Sequence, residues 1–329
     1  MPEGTAITPV AFCPGAAAAV PTVNAPRADS ADDAEATAKN RAATAKGVRT
    51  AIPPFRWLQF YREVPDIPEA TWGGARIRYD IAGAGDPALL FLHGWCDSRA
   101  QFHSLLPLSA QKRRVLAVDL PGHGKSEAPP GEFGFRELVA AAAAAVEAAG
   151  VETLVPVSMA HAGWVALGLR RRLGPKRVPR LVLLDWIVLD PPPPFLEALR
   201  GLQDPERWKS TRARLFSMWL EHADPQIAAQ VRRTMENHGF GMWARAGREI
   251  AAAYAREGSP LEALSAIEPP PPTLHLYALP KDEEYRTAQE AFSRKHPWFH
   301  FRRLDGISHF PPLETPEAVA AAIEEFLAG

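Results

Sequence analysis

The sequence predicts an α/β protein in which helices flank a mostly parallel central sheet. Continuous apolar runs, typical of strands buried on both faces, alternate with segments of helical periodicity. Glycine and proline mark the boundaries between them. Strands are predicted at 74–80, 88–92, 115–119, 153–158, 181–184, 273–278 and 299–304. Helices are predicted at 101–108, 135–149, 161–173, 282–295 and 315–327. This βαβα order indicates parallel strands joined by helical crossovers.

The chain is predicted to have four parts. Residues 1–50 are rich in Ala, Pro, Thr and Asp without a sustained period, which predicts a disordered or extended amino-terminal extension. Residues 51–190 and 269–329 supply the two parts of the α/β core. Between them, residues 191–268 lack strand-like runs and are bounded by proline runs. This pattern predicts a helical cap inserted above the sheet.

The stretch 154–164 reads as a strand, a sharp turn and the start of a helix. This is the form of the nucleophile elbow, which predicts the α/β-hydrolase fold. The small residues Ser158 and Ala162 put Ala160 at the apex, where a hydrolase carries Ser, Cys or Asp. A rival register with Ser158 at the apex is disfavoured because Pro156 would occupy a position that needs a small residue. We therefore expect the fold of a hydrolase without its nucleophile.

Four groups are predicted to meet at the carboxyl ends of the strands, where open sheets bind ligands. His309 follows the last strand, the place of the catalytic histidine in this fold. Asp185 ends the strand after the elbow helix, and we prefer it as the partner of His309 over Asp282, which resembles a solvated helix start. The backbone N–H groups of Trp95 and His161 are expected to form an oxyanion hole.

Composition excludes several function classes. A net charge of −1 and a pI near 6.8 leave no electrostatic footprint for nucleic acid or membrane. No run approaches the ~20 apolar residues that span a bilayer. Two cysteines indicate no disulfide framework and fit a reducing compartment, so we expect a cytoplasmic protein. No metal-ligand spacing and no Gly-x-Gly-x-x-Gly after a strand occur, so no metal or other cofactor is expected.

The sequence resembles the cofactor-independent 2,4-dioxygenases of the α/β-hydrolase fold, which cleave 3-hydroxy-4(1H)-quinolones and release carbon monoxide. The resemblance covers about residues 75–328. Leu184-Asp185-Trp186 and His296-Pro297-Trp298-Phe299 carry the most weight, because they are unusual for ordinary esterases of this fold. The other segments that carry the resemblance are His93-Gly94-Trp95-Cys96, Pro156-Val157-Ser158, His161-Ala162-Gly163-Trp164, Asp204-Pro205-Glu206-Arg207-Trp208, Gly258-Ser259-Pro260 and Ser308-His309-Phe310-Pro311.

The resemblance implies a reaction without an acyl intermediate. His309, paired with Asp185, would remove the proton from the substrate 3-hydroxyl. The amides of Trp95 and His161 would hold a substrate oxygen. The resulting anion would react with O2 directly, without metal or flavin. Trp243 would line the pocket from the cap. The expected partners are therefore a small aromatic molecule and O2.

Three positions depart from the family pattern. The family carries Ser at the apex and His just before it, where this chain has Ala160 and Met159. It carries another His two residues after the oxyanion Trp, where this chain has Asp97. Together with Trp186 and the cap Trp243, these positions are the expected substrate contacts. The apolar floor at Met159 and Ala160 predicts a substrate with fewer polar groups on that side.

Three other functions stay open from the sequence. The same dyad and oxyanion hole fit a base-driven lyase, isomerase or cyclase that does not use O2. A serine hydrolase would use Ser158 in the rival register. A non-catalytic binding protein would result if the loss of the apex Ser marks a loss of chemistry, although retention of both His309 and an acid partner argues against it. The sequence does not indicate an oligomeric state.

Overall fold

A computed structural model describes residues 67–329 of the chain. Within them, eight strands form one sheet in the order β1-β2-β4-β3-β5-β6-β7-β8. The strands are β1 (Glu69–Trp72), β2 (Ala75–Ala82), β3 (Ala88–Leu92), β4 (Val115–Val118), β5 (Leu154–Met159), β6 (Leu181–Leu184), β7 (Thr273–Tyr277) and β8 (Phe299–Arg303). β1 and β4 pair antiparallel with β2, and the other neighbours are parallel. The predicted amino-terminal extension, 1–50, lies outside the described residues.

Helices cover the sheet and also form the insertion between β6 and β7. The α-helices are α1 (Leu106–Ala110), α2 (Phe135–Ala148), α3 (Gly163–Arg177), α4 (Pro193–Leu202), α5 (Trp208–Leu220), α6 (Pro225–Met235), α7 (Phe240–Glu257), α8 (Pro260–Ser265), α9 (Glu283–Lys295), α10 (Pro311–Glu314) and α11 (Pro316–Ala328). Short 3-10 helices lie at Arg99–Phe102 and Ala160–Ala162. Helices α4 to α8 occupy the segment in which the sequence predicts a cap; the domain boundaries themselves stay a prediction.

The predicted fold class is confirmed by the sheet. Every residue of the strands β3 to β7 is buried, as expected for parallel strands covered by helices on both faces. Strand β2 instead alternates, with Ile77 and Tyr79 buried and Arg76 exposed, because it lies near the sheet edge. The continuous apolar runs and the alternating run in the sequence therefore reflect two different positions in one sheet.

Two elements differ from the prediction. Strand β1 was not predicted, because four residues are too few to show a period; it forms a hairpin with β2 through Gly73 and Gly74, whose φ angles of 56° and 78° suit glycine. The predicted helix 101–108 is instead divided between the 3-10 helix and α1. Pro107 lies in the first turn of α1, where its missing N–H costs no helical hydrogen bond.

The register of the sheet brings the functional loops to one edge. Leu92 of β3 pairs with Ser158 of β5, and Leu184 of β6 pairs with Met159 on one side and Leu276 on the other. The residues that follow these strand ends therefore emerge side by side, at the edge where open α/β sheets bind ligands. Nowhere in residues 67–329 does a helix combine the length and apolar character needed to cross a membrane.

Candidate active site

The elbow has its apex at Ala160. This residue has a φ of 48°, a left-handed conformation that is uncommon for a residue with a Cβ and is a feature of strained functional turns. The 3-10 helix begins there, and α3 follows at Gly163. Ser158 lies two residues earlier, inside β5, fully buried, with its hydroxyl 3.3 Å from the carbonyl oxygen of Val182. The structure thus places Ala160, and not Ser158, on the turn.

The tight packing below the elbow explains why Gly163 follows Ala162. A Cβ added at Gly163 would overlap the six-membered ring of Trp186, so only glycine lets α3 begin this close to the loop after β6. The indole of Trp186 is 1% exposed and lies edge-on to that of Trp164, with ring centroids 4.9 Å apart. Helix α3 and the loop that carries Asp185 are therefore packed as one unit.

His309 and Asp185 come together as the sequence predicts. The Nδ1 of His309 lies 2.7 Å from Oδ2 of Asp185. The other carboxylate oxygen, Oδ1, accepts backbone N–H bonds from Ala278 at 2.6 Å and Leu279 at 3.0 Å. Asp185 is buried and has a φ of 45°. Since an ionised carboxylate only accepts hydrogen bonds, Nδ1 carries the proton and Nε2 is left as the acceptor.

Asp282 has a different role. It precedes α9 and accepts a hydrogen bond from the backbone N–H of Tyr285 at 2.7 Å, as an N-cap residue does. Its side chain is solvent-exposed at the start of a helix. The contacts of the two candidate acids therefore distinguish them: Asp282 caps a helix, and Asp185 pairs with the imidazole of His309.

Besides Asp185, two residues that the sequence did not reveal, Trp219 and Glu314, fix the loop that carries His309. The backbone N–H of His309 donates to the carbonyl oxygen of Trp219 at 3.1 Å, and the indole of Trp219 stacks on the imidazole at 5.5 Å between centroids. Glu314 Oε2 accepts from the backbone N–H groups of Ile307 at 3.0 Å and Ser308 at 2.9 Å. Trp219 belongs to α5, so the predicted cap contacts the candidate base directly.

The backbone around the predicted oxyanion hole is closely packed. A Cβ added at Gly94 would lie 3.6 Å from the carbonyl oxygen of Met159 and 3.9 Å from Cβ of Ala160, so the loop after β3 lies against the elbow. The amide of Trp95 follows on that loop and has no acceptor within residues 67–329. The amide of His161 follows the apex. Their convergence on one substrate oxygen stays a prediction.

Burial favours the neutral forms of two titratable side chains near the elbow, His161 and Asp97. Burial, together with a smaller effect of the charge of His309, lowers the pKa of His161 to about 3. Burial also raises the pKa of the Asp97 carboxyl to about 7, while the bond that Oδ1 accepts from the backbone N–H of Ser98 at 2.8 Å opposes the shift. Asp97, only 4% exposed, is therefore about half protonated near pH 7, where an ordinary aspartate is ionised.

Two histidines near the elbow make structural hydrogen bonds. His93 donates from Nδ1 to the carbonyl oxygen of Gly94 at 2.8 Å and accepts at Nε2 from the backbone N–H of Leu120 at 3.0 Å. Burial lowers its pKa to about 4, so it stays neutral and supports the loop. His123 contacts the carbonyl oxygen of Pro121 in a turn, at 2.9 Å. In the part of the chain that the structure describes, no group of three His, Cys, Asp or Glu side chains is arranged to hold a metal ion.

The expected substrate contacts lie at the elbow, on the loop after β3 and in the cap. Met159 and Ala160 form the end of β5 and the apex, and the ring of Trp186 lies against Gly163 at the start of α3. Asp97 lies three residues after Gly94 on the oxyanion loop. Trp243 is 2% exposed and packs edge-on against Phe216 within the cap, at 5.9 Å between centroids, so its place in a pocket wall stays a prediction.

Comparison with known proteins assigns the family. A family model described as the alpha/beta hydrolase family matches residues 89–322. A 2-heptyl-3-hydroxy-4(1H)-quinolone dioxygenase of Mycobacteroides abscessus is 39% identical over 265 residues, covering 80% of this chain and 98% of that protein. The chain belongs to the family of the quinolone dioxygenases. Another relative, the 1H-3-hydroxy-4-oxoquinoline 2,4-dioxygenase of Pseudomonas putida, is 36% identical over 242 residues, covering 73% and 91% of the two chains.

Solved structures agree with this family assignment. The chain is similar to a variant of AqdC whose structure was solved in complex with its substrate. That structure is described as showing how AqdC recognises the Pseudomonas quinolone signal and cleaves its ring. The TM-score is 0.77 at 38% identity, covering 80% of this chain and 100% of that one. A 1H-3-hydroxy-4-oxoquinoline 2,4-dioxygenase gives a TM-score of 0.75 at 34% identity, covering 80% and 99%. An esterase of Thermogutta terrifontis, at 21% identity and a TM-score of 0.65, shares the fold alone.

Proposed function

We propose that the chain is a cofactor-independent 2,4-dioxygenase that cleaves the ring of a 3-hydroxy-4(1H)-quinolone. The observation that carries the proposal is the 2.7 Å contact between His309 and Asp185 beside an apex without a nucleophile. This arrangement supports base chemistry and leaves no hydroxyl for an acyl-enzyme. The relatives named as dioxygenases of such quinolones supply the substrate class.

The dyad provides the base. Asp185 accepts the Nδ1 proton of His309, which leaves the Nε2 lone pair to take the proton of the substrate 3-hydroxyl. The side chain of His309 is 20% exposed, so a bound substrate can reach it. The carboxylate then stabilises the imidazolium that forms, while its own position is fixed by two backbone amides.

The oxyanion hole and the pocket act on the resulting anion. The amides of Trp95 and His161 hold a substrate oxygen and stabilise its negative charge. The electron-rich ring then reacts with O2, both oxygen atoms enter the product, and the ring carbon between the two cleaved bonds leaves as carbon monoxide. Neither step needs a side chain at the apex, so the sequence can carry Ala160 there and retain the reaction.

Substrate choice is proposed to depend on the departures from the family pattern. Met159 and Ala160 give the floor of the pocket an apolar surface, which favours a ring without a polar substituent on that side. Asp97 adds a buried carboxyl to the oxyanion loop, and Trp186 and Trp243 complete the proposed contacts. The expected partners are a small aromatic substrate and O2. The cytoplasmic location stays a prediction, supported by the low cysteine content.

Aerobic incubation with a panel of 3-hydroxy-4-quinolones tests the function. We expect O2 uptake and carbon monoxide release in equal amounts, and loss of both in His309→Ala. Turnover that continues without O2 would instead identify a lyase, isomerase or cyclase. Labelling by a fluorophosphonate that Ser158→Ala abolishes would identify a serine hydrolase. Binding of the quinolone without any turnover would identify a binding protein.

A further inference from the structure

The three residues that follow Asp185 are held by two tyrosine hydroxyls. Tyr285 donates its hydroxyl proton to the carbonyl oxygen of Trp186 at 3.0 Å and accepts the backbone N–H of Val188 at 3.2 Å. Tyr254 donates to the carbonyl oxygen of Ile187, also at 3.0 Å. Each phenol therefore bonds to the backbone of the loop and not to the Asp185 carboxylate, whose Oδ2 contacts His309.

The two tyrosines reach this loop from different parts of the fold. Tyr254 lies on α7, in the segment between β6 and β7, and Tyr285 lies on α9, between β7 and β8. Both side chains are nearly buried, and burial raises the pKa of each phenol well above its ordinary value. The hydroxyls therefore stay protonated, and that of Tyr285 donates and accepts at the same time.

Asp185 needs such support because its own conformation is unfavourable. With a φ of 45°, the residue occupies the left-handed region, which costs energy for L-residues with a Cβ, although Asp tolerates it better than most. On the amino-terminal side, the sheet anchors it through the bond from its backbone N–H to the carbonyl oxygen of Leu276 at 2.8 Å. On the carboxyl-terminal side, where the chain has left the sheet, the hydrogen bonds from Tyr285 and Tyr254 anchor the backbone instead. The turn is thus fixed at both ends.

We propose that Tyr285, together with Tyr254, is a positioning residue that holds the backbone after Asp185 so that the carboxylate keeps its contact with His309. Neither phenol is assigned a contact with the substrate. The proposal deepens the proposed function, on which it rests, because it takes the dyad as the working base. A small rotation at Asp185 would lengthen the contact to Nδ1, and displacements of this size are costly in catalysis.

Tyrosine-to-phenylalanine variants provide the test, and Tyr277 provides the control. Tyr277 is fully buried and contacts Tyr285 at 5.5 Å between ring centroids, but its hydroxyl has no partner within residues 67–329. Tyr277→Phe therefore removes a buried hydroxyl from the same cluster without breaking a protein hydrogen bond. Tyr285→Phe breaks two, and Tyr254→Phe breaks one.

Two measurements are made on each full-length variant. Steady-state O2 uptake with a 3-hydroxy-4-quinolone gives kcat and KM, and proton NMR with labelled histidine follows the downfield resonance of the His309 Nδ1–H in the free protein. We expect Tyr285→Phe to lower kcat by roughly tenfold to a hundredfold with KM little changed, and to move or broaden that resonance. Tyr254→Phe should show a smaller change of the same kind, and Tyr277→Phe neither.

The outcomes separate this proposal from the proposed function. A resonance in Tyr285→Phe and Tyr254→Phe that matches Tyr277→Phe would overturn the positioning role, even if kcat falls. If Tyr285→Phe does not fold, Tyr254→Phe alone decides by the same comparison. Absence of O2 uptake in the unaltered protein would contradict the proposed function, and the resonance would still decide whether the tyrosines position Asp185.

Discussion

Replacement of Asp185 by Asn separates the chemistry of the dyad from its structural role. The Asn side chain has nearly the same shape, and its oxygen can keep the two bonds that Oδ1 accepts from Ala278 and Leu279. At the Oδ2 position, however, the amide presents N–H donors to Nδ1 of His309. The imidazole must then accept at Nδ1 and carry its proton on Nε2, which removes the lone pair that takes the substrate proton.

The expected effects on activity and stability differ. We expect Asp185→Asn to lower kcat/KM for a 3-hydroxy-4-quinolone by roughly a thousandfold to ten-thousandfold, as wrong-tautomer variants of catalytic histidines do. Its urea unfolding should stay within about 1 kcal/mol of the unaltered protein. Asp185→Ala should lose activity equally but also about 2–5 kcal/mol of stability, because two buried amides lose their acceptor. Oxygen uptake by Asp185→Asn within tenfold of the unaltered protein would refute this role for the carboxylate.

Two further predictions concern the loops on either side of the dyad. The pKa of Asp97 is raised above its unfolded value of 3.8 to about 7, so its protonation stabilises the folded protein below about pH 4, and this stability is lost as pH rises through 7. Urea unfolding should show a loss of about 3 kcal/mol between about pH 5 and pH 8 that Asp97→Asn abolishes; an equal loss in the variant would contradict it. Glu314→Ala should lower kcat by roughly tenfold without raising KM, because Ile307 and Ser308 lose their acceptor, while Glu314→Gln, which retains an oxygen, should restore it. Equal kcat values in the two Glu314 variants would exclude this effect.

Much of the fold was readable from the sequence because parallel strands buried on both faces leave continuous apolar runs. The elbow was readable for a related reason. Small residues at fixed spacing are required where backbones approach closely, and Gly163 beside Trp186 is such a place. The four-residue strand β1 left no such pattern, and neither did the break between the 3-10 helix and α1. Short elements depend on tertiary contacts that spacing does not encode.

The parts of the site that were missed all depend on contacts between distant segments. The predicted cap contains Trp208, Trp219 and Trp243, and no local rule tells which of them stacks on His309. Tyr285 lies 99 positions after Trp186, to which it donates. His309 and Asp185 could be predicted because each follows a strand, and strand ends have a known position in this fold. Residues on helices have no comparable reference point in the sequence.

The role of His309 as the base can be measured before O2 reacts. Under strict exclusion of O2, the unaltered protein is mixed with a 3-hydroxy-4-quinolone below the pH at which the free hydroxyl ionises, and the absorbance of the substrate is followed. We expect the spectrum of the substrate anion to form in the complex and to be absent with His309→Ala, although that variant still binds. An anion spectrum of equal strength in His309→Ala, or a neutral substrate in the complex with the unaltered protein, would contradict deprotonation by the dyad.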